Sequence, residues 1–295
     1  MFTRATSPVG TVVNVAEVVL ITGLSGAGRS GAADALEDLG WYVVDNLPTE
    51  LVDTIVDLVD QPGGDIDRLA LVAGRQHQRL ADKIADLRAS EHDVTVLFLD
   101  ATTPTLVARY DATRRRHPME LEAPGVEQAI ELERGQLESA RAAADLIIDT
   151  TDLNIHELSD RIGASIGATS KGQLRVAITS FGFKHGSPRD ADIVMDVRFL
   201  PNPHWEPELR PQTGLDEAVR EFVIAHGPGA DFIDRFGSLL TDLLPSYASG
   251  GRSYLTVAIG CTGGRHRSVA VAEALAERVR EHGTAVGTRH RDLGR

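Results

Sequence analysis

The run Val19-Leu-Ile-Thr-Gly-Leu-Ser-Gly-Ala-Gly-Arg-Ser30 carries the residues best suited to chemistry in this chain. Gly23, Leu24, Ser25, Gly26, Ala27, Gly28, Arg29 and Ser30 follow the phosphate-loop spacing G-x-x-x-x-G-K-[ST] everywhere except the lysine, which is Arg29. Glycines at 23, 26 and 28 allow positive φ, so backbone N–H groups turn inward onto a polyphosphate. A helix starting near Arg29 adds its partly positive N-terminus, and Ser30 places a hydroxyl on Mg²⁺. Arginine keeps the cationic charge, but its planar fork sits differently on a γ-phosphate than a lysine does. The loop therefore predicts phosphate binding with slow turnover; the plainer reading is a glycine-rich turn between a strand and a helix.

Further residues extend this site. Val94-Thr-Val-Leu-Phe-Leu-Asp100 reads as a buried strand ending in an acid, so Asp100 either holds the metal's water shell beside Ser30 or caps the next helix. Asp45 is a rival for the metal role. Arg109, Arg114, Arg115 and Arg116 with His117-Pro118 form either an arginine lid that closes on phosphates or a solvated helical face. A second strand-turn-helix run, Tyr254 to Arg280, contains Cys261, five residues, Arg267 and Ser268, the arrangement of cysteine phosphatases. A thiolate at a helix N-terminus is nucleophilic and an arginine fork grips phosphate. The same turn also suits phosphate or phosphosugar binding without chemistry, or Cys261 is a small buried residue.

The elements that position these residues read as an α/β pattern. Strands over 19–23, 41–45, 68–73, 94–100 and 145–149 alternate with helices over 29–39, 49–59, 76–88, 126–144 and 153–162. This order predicts a doubly wound parallel sheet with the phosphate loop after its first strand. Residues 1–163 form this nucleotide-binding domain, the small-residue stretch 164–173 is a linker, and 174–295 is a second α/β domain. In that domain strands are expected over 173–183, 193–200 and 254–261, and helices near 216–226, 230–244 and 266–280. The segment from Pro201 to Pro211 holds four prolines, His204 and Trp205, and is read as an ordered functional loop.

Composition narrows the class of protein. At 295 residues the chain suits two domains, and a single cysteine excludes an internal disulfide. The absence of a basic-then-apolar leader and of a membrane-length apolar run predicts a cytoplasmic protein with no membrane partner. A net charge of −13 argues against a surface that binds nucleic acid throughout, yet the stretch from Gly250 to Arg295 carries eight arginines against four carboxylates.

Several long strings resemble the RapZ/YvcJ family of bacterial nucleotide-binding proteins. They are the loop at 23–30, Leu-Glu-Asp-Leu-Gly-Trp-Tyr-Val-Val-Asp-Asn-Leu-Pro at 36–48, Arg-Arg-Arg-His-Pro at 114–118 and Ala-Asp-Leu-Ile-Ile-Asp-Thr at 144–150. The later ones are Ser-Phe-Gly-Phe-Lys-His-Gly at 180–186, Asp-Val-Arg-Phe-Leu-Pro-Asn-Pro-His-Trp at 196–205 and Ile-Gly-Cys-Thr-Gly-Gly-Arg-His-Arg-Ser-Val at 259–269. The resemblance implies a kinase-like N-terminal domain that binds ATP or GTP with Mg²⁺ and hydrolyses it slowly, and a second domain likened to a phosphofructokinase lobe. It also implies that the second domain binds a phosphorylated amino sugar through His204, Thr262, Gly263, His266 and Arg267. Some members bind small RNA and present it to a ribonuclease, which by position gives Arg289, His290 and Arg291 as RNA contacts, and self-association as a homo-oligomer. Where the family has Asp-x-Arg after the third strand, this chain has Ala73-Gly74-Arg75, so Arg75 alone remains as a nucleotide contact and ATP and GTP both stay open.

Together these readings describe a nucleotide-binding regulator with weak NTPase activity, in which Arg29 and Asp100 are the catalytic candidates and Ser30 and Asp100 the metal candidates. A small-molecule kinase and a cysteine phosphatase using Cys261 and Arg267 are the alternatives.

Overall fold

Four consecutive apolar residues, Val18 to Ile21, are buried in the first strand, and the first sheet is laid out around it. The computed structural model describes residues 16–59, 66–74, 79–90, 92–166, 174–250, 252 and 254–294. Its elements run β1 (Glu17–Gly23), α1 (Arg29–Asp38), β2 (Tyr42–Leu47), α2 (Val52–Val59), β3 (Arg68–Ala73), α3 (Leu80–Arg88), β4 (Asp93–Asp100), α4 (Thr103–Thr113), α5 (Val126–Gln136) and α6 (Glu138–Ala142). They continue with β5 (Leu146–Asp149), α7 (Ile155–Ile166), β6 (Arg175–Gly182), β7 (Ile193–Asp196), α8 (Glu217–Ile224), α9 (Gly227–Ser249), β8 (Tyr254–Cys261), α10 (Arg267–Glu281) and β9 (Ala285–His290).

One sheet has the order β2-β3-β1-β4-β5, and the pairings of β1 with β3, β1 with β4 and β2 with β3 are parallel. β1 is therefore internal, and the loop that leaves its carboxyl end opens where such sheets bind ligands. The α/β class expected from the alternation of strands and helices holds. The other sheet, β7-β8-β6-β9, is parallel at each of its pairings. By its contacts the chain divides into two units, residues 1–144 and 145–295. No helix among the described residues is long and apolar enough to cross a membrane.

Several elements depart from the expected boundaries. The helix expected over 126–144 is two, broken at Leu137 (φ −92°, ψ 0°), shortly after the weak helix former Gly135. Arginines from both pieces, Arg134 and Arg141, converge on Asp100. The strand expected over 193–200 stops at Asp196, whose carboxylate accepts from the Arg198 N–H and guanidinium and turns the chain. α9 runs through Pro245 to Ser249. α7 continues to Ile166, beyond the expected end at 162. β9 was not expected, because Gly287 interrupts a short and weakly apolar run.

Candidate functional site

The turn after β1 does what its glycines suggest. Gly23, Gly26 and Gly28 all have positive φ, at 134°, 87° and 100°. At Gly23 a Cβ would lie 2.2 Å from the Leu99 carbonyl oxygen, so only glycine lets β1 leave the sheet this close to β4. Part of the loop is held by protein. Leu24 N donates to Leu99 O at 3.1 Å, Ala27 N to Leu24 O at 3.0 Å, and Ser25 N to Glu133 Oε2 at 2.9 Å. The N–H groups of Gly26, Gly28 and Ser30 meet no acceptor among the described residues. They sit where α1 begins, so unsatisfied donors and the positive end of the helix coincide.

These donors open into a cleft of about 490 Å³ lined by Ser25, Gly26, Gly28, Arg29, Ser30, Asp45, Asn46, Arg109, Arg115 and Arg116 among others. Arg109 donates to Gly26 O at 2.9 Å, which ties α4 to the loop. Arg115 and Arg116 are exposed on the segment after α4, so three of the four arginines, Arg109, Arg115 and Arg116, line the cleft and Arg114 does not. The guanidinium of Arg29 donates to Ala73 O at the end of β3, 3.2 Å away, so the lysine substitute also braces the sheet.

The two acid candidates separate clearly. Asp45 lines the cleft with Ser30. Asp100 does not line it: fully buried, it accepts from Arg134 at 2.7 Å and Ala101 N at 2.8 Å, with Arg141 Nε at 3.5 Å. Asp100 is thus held by protein groups outside the cleft. Its charge is met by two arginines, and it joins β4 to α5 and α6. Arg75 lies outside the described residues.

One residue of the loop's support was not foreseen. Glu133 is fully buried on α5, and its carboxylate accepts from both Ser25 N and Ser25 Oγ, the latter at 2.7 Å. His117, equally enclosed, accepts from Met119 N through Nδ1, and its Nε2 lies 3.2 Å from Glu133 Oε2. Ser25, Glu133 and His117 thus link the loop to the arginine-bearing segment through one buried carboxylate. The sequence did hold a signal: Glu133 follows Ala129 and Ile130 at helical spacing, on the face that is buried.

The turn after β8 repeats the layout with different fillings. Gly263, Arg265 and His266 have N–H groups that meet no acceptor among the described residues, and α10 starts directly behind them. Cys261 Sγ is buried, accepts from Gly264 N at 3.2 Å and lies 3.1 Å from Ser268 Oγ. Arg267 is buried as well and donates to Arg198 O at 2.7 Å, to Leu200 O and to Thr262 Oγ1. Its fork holds the turn after β7, so Cys261 and Arg267 are built into the turn rather than presented as nucleophile and phosphate grip. His266 meets Arg210 O through Nε2 at 3.2 Å. Burial pushes its pKa down, and the nearby charges of Arg265 and His204 add to this. His204 itself is exposed, edge-on to Trp205.

The residues assigned to RNA are engaged inside the protein. His290 bridges Ser180 Oγ at 2.9 Å and Glu273 Oε1 at 3.1 Å. Arg291 lies over Phe181, donates to Asp292 at 2.8 Å and to Gly186 O at 2.6 Å, and is mostly covered. A phosphate would have to displace these partners of His290 and Arg291. Arg289 faces elsewhere, into a cavity described below.

Comparison with known proteins covers nearly the whole chain. Residues 16–170 match the family model described as the RapZ-like N-terminal domain, and residues 174–294 match the RapZ C-terminal domain. A nucleotide-binding protein of Thermobifida fusca (strain YX) is 46% identical over 95% of this chain and 96% of its own. One from Acidothermus cellulolyticus is 47% identical over 95% and 92%, and one from Frankia casuarinae 48% identical over 95% and 98%. Among solved structures, shikimate kinase from Bacteroides thetaiotaomicron aligns over 50% of this chain and 96% of its own, at 14% identity and a TM-score of 0.36.

Two outcomes follow from this geometry. Glu133→Ala leaves the Ser25 N–H and hydroxyl enclosed without their acceptor and is expected to cost roughly 2–4 kcal/mol in urea unfolding. Glu133→Gln, which keeps an acceptor for Ser25, recovers a good part; a loss under about 0.5 kcal/mol for the alanine variant contradicts the role. For His266, a folded pKa below the ordinary 6.5 means the unfolded chain binds more protons as pH falls. Its contribution to stability is full above that value and is lost on acidification through the folded pKa. His266→Gln should therefore flatten the fall in stability between about pH 6.5 and 5; an unchanged slope sinks this assignment.

Proposed function

The chain belongs to the RapZ family, and from that premise we propose that it is a nucleotide-binding regulator whose second turn senses a phosphorylated amino sugar. The observation that carries the nucleotide reading is the trio of unsatisfied N–H groups at Gly26, Gly28 and Ser30, at the head of α1 and inside an arginine-bordered cleft. A triphosphate supplies the acceptors these donors lack, and Arg109, Arg115 and Arg116 add positive charge.

Magnesium fits the same cleft on modest terms. No cluster of three His, Cys, Asp or Glu that could hold a metal occurs among the described residues. Mg²⁺ keeps much of its water and binds through one or two protein oxygens together with phosphate. Ser30 Oγ and the Asp45 carboxylate, both in the cleft lining, would contribute. When bound, the ion neutralises charge on the phosphates; the loop amides orient them, and Glu133 fixes the loop. Arg29 is engaged by Ala73 O, which favours holding nucleotide over rapid γ-phosphate transfer. ATP and GTP are both accommodated by this reading.

In the second unit, the free N–H groups of Gly263, Arg265 and His266 are the phosphate cradle, with Thr262 and His204 beside it. Nucleotide and sugar phosphate then affect each other's affinity equally if the sites are coupled.

Calorimetric titration of the intact chain with Mg·ATP, Mg·GTP and a hexosamine 6-phosphate tests the proposal. Saturable binding of a nucleotide and of the sugar is expected. Arg109→Ala should weaken nucleotide alone by about tenfold, close to 1.4 kcal/mol. Stoichiometric transfer of the γ-phosphate to the sugar would make the protein a kinase instead, and absence of nucleotide binding would remove the regulator.

A further inference from the structure

Parallel sheets are normally covered on both faces. In β7-β8-β6-β9, one face carries the core: Val176, Ile178, Leu255 and Val257 pack with Val219, Leu240 and Leu275 from α8, α9 and α10. Strand alternation sends Ala177 and Thr179 to the opposite face. Ala177 is exposed although β6 is paired on both sides, and Ala285 and Gly287 on β9 are exposed as well. A cavity of about 500 Å³ lies over this face, bordered by α7 from Glu157 to Ser165. Its floor is small: Ala177, Thr179, Thr256 and Gly287 leave a flat slot.

Three guanidinium groups surround the slot, and they are not equivalent. Arg161 is paired with Asp190, and Arg175 donates to Ala164 O at 2.7 Å. Arg289 makes no hydrogen bond and no ion pair among the described residues, although it is half-buried. Burial pushes its pKa down and neighbouring Arg161 and Arg291 add to that, while Asp190 and Glu157 offset part of it without a hydrogen bond or ion pair to it. A cation half withdrawn from water and bonded to no carboxylate has donors left for an anion from outside. Glu157 and Asp160 at the rim keep the surroundings from favouring a polyanion such as a triphosphate or a nucleic acid.

We propose that this cavity is a binding site for a small organic anion, with one carboxylate, sulfonate or phosphate group against Arg289 and a flat apolar body over Ala177 and Gly287. The site is separate from both glycine turns and does not depend on the function proposed for them. Its shape explains why a central strand position carries alanine where a covered parallel sheet carries a larger aliphatic side chain.

The probe is 1-anilinonaphthalene-8-sulfonate, titrated into the full chain and followed by fluorescence, with naphthalene-2-carboxylate as a competitor. Saturable binding at one site per chain is expected, displaced by the carboxylate. Arg289→Gln should weaken it at least tenfold, Arg289→Lys should restore part of the affinity, and Ala177→Leu should abolish it by filling the slot. Circular dichroism on each variant separates loss of the site from loss of fold; the glutamine variant keeps the test open if the leucine variant fails to fold. Affinity unchanged in Arg289→Gln overturns the proposal. So does equal binding of the uncharged N-phenyl-1-naphthylamine, which would show an apolar slot with no anion specificity, and so does non-saturable fluorescence.

Discussion

A backbone N–H that neither helix nor sheet can satisfy has to find an acceptor somewhere, and this chain creates such groups deliberately at the end of β1. Strand geometry brings Gly23 against the Leu99 carbonyl, positive φ at Gly26 and Gly28 turns the loop, and α1 starts before its first amides can bond within the helix. Protein groups satisfy Leu24, Ser25 and Ala27. The donors left over share one location, and the arginines of α4 and the segment after it border that location. Loop shape, charge and cleft are consequences of one unmet hydrogen-bonding requirement.

The buried carboxylate of Glu133 shows how the loop is kept in that state. An anion next to a phosphate site would repel the ligand, so its position behind the loop matters: it takes Ser25, which points into the protein, and leaves the outward donors alone. Its other neighbour, His117, closes the segment that carries Arg114, Arg115 and Arg116. Asp100 solves a similar problem differently, with arginines from two helices meeting one enclosed carboxylate. Both are acids that a motif-based reading would place at the metal or overlook, and both hold the frame that carries the amides.

Local chemistry was legible in the sequence; partnerships across the chain were not. The glycine turns, the strands expected over 19–23, 68–73, 94–100, 173–183 and 254–261, which the structure has within two residues at each end, and the P-loop-first α/β order follow from short-range pattern. Whether Asp100 meets a metal or an arginine depends on residues 34 and 41 positions away, which no spacing rule connects. For the run Arg289-His290-Arg291, which the family resemblance gives as RNA contacts by position, charge in sequence says nothing of which side chains Glu273, Asp292 and Phe181 will engage. β9 escaped notice because Gly287 weakens its intrinsic preference, and its existence is due to pairing with β6. Glu133 could have been found by asking why an acid sits on the apolar face of α5.

The two turns share a backbone plan and diverge in their side chains: arginines border the first, while buried His266, Arg267 and Cys261 stabilise the second from within. The most direct test of the central claim is amide chemical shift on titration of the ¹⁵N-labelled full chain with a non-hydrolysable Mg·ATP analogue. Saturable shifts of the Gly26, Gly28 and Ser30 resonances, with Gly263, Arg265 and His266 free of direct ligand contact, are the predicted result. Nucleotide binding that leaves those three amides unmoved would contradict the account.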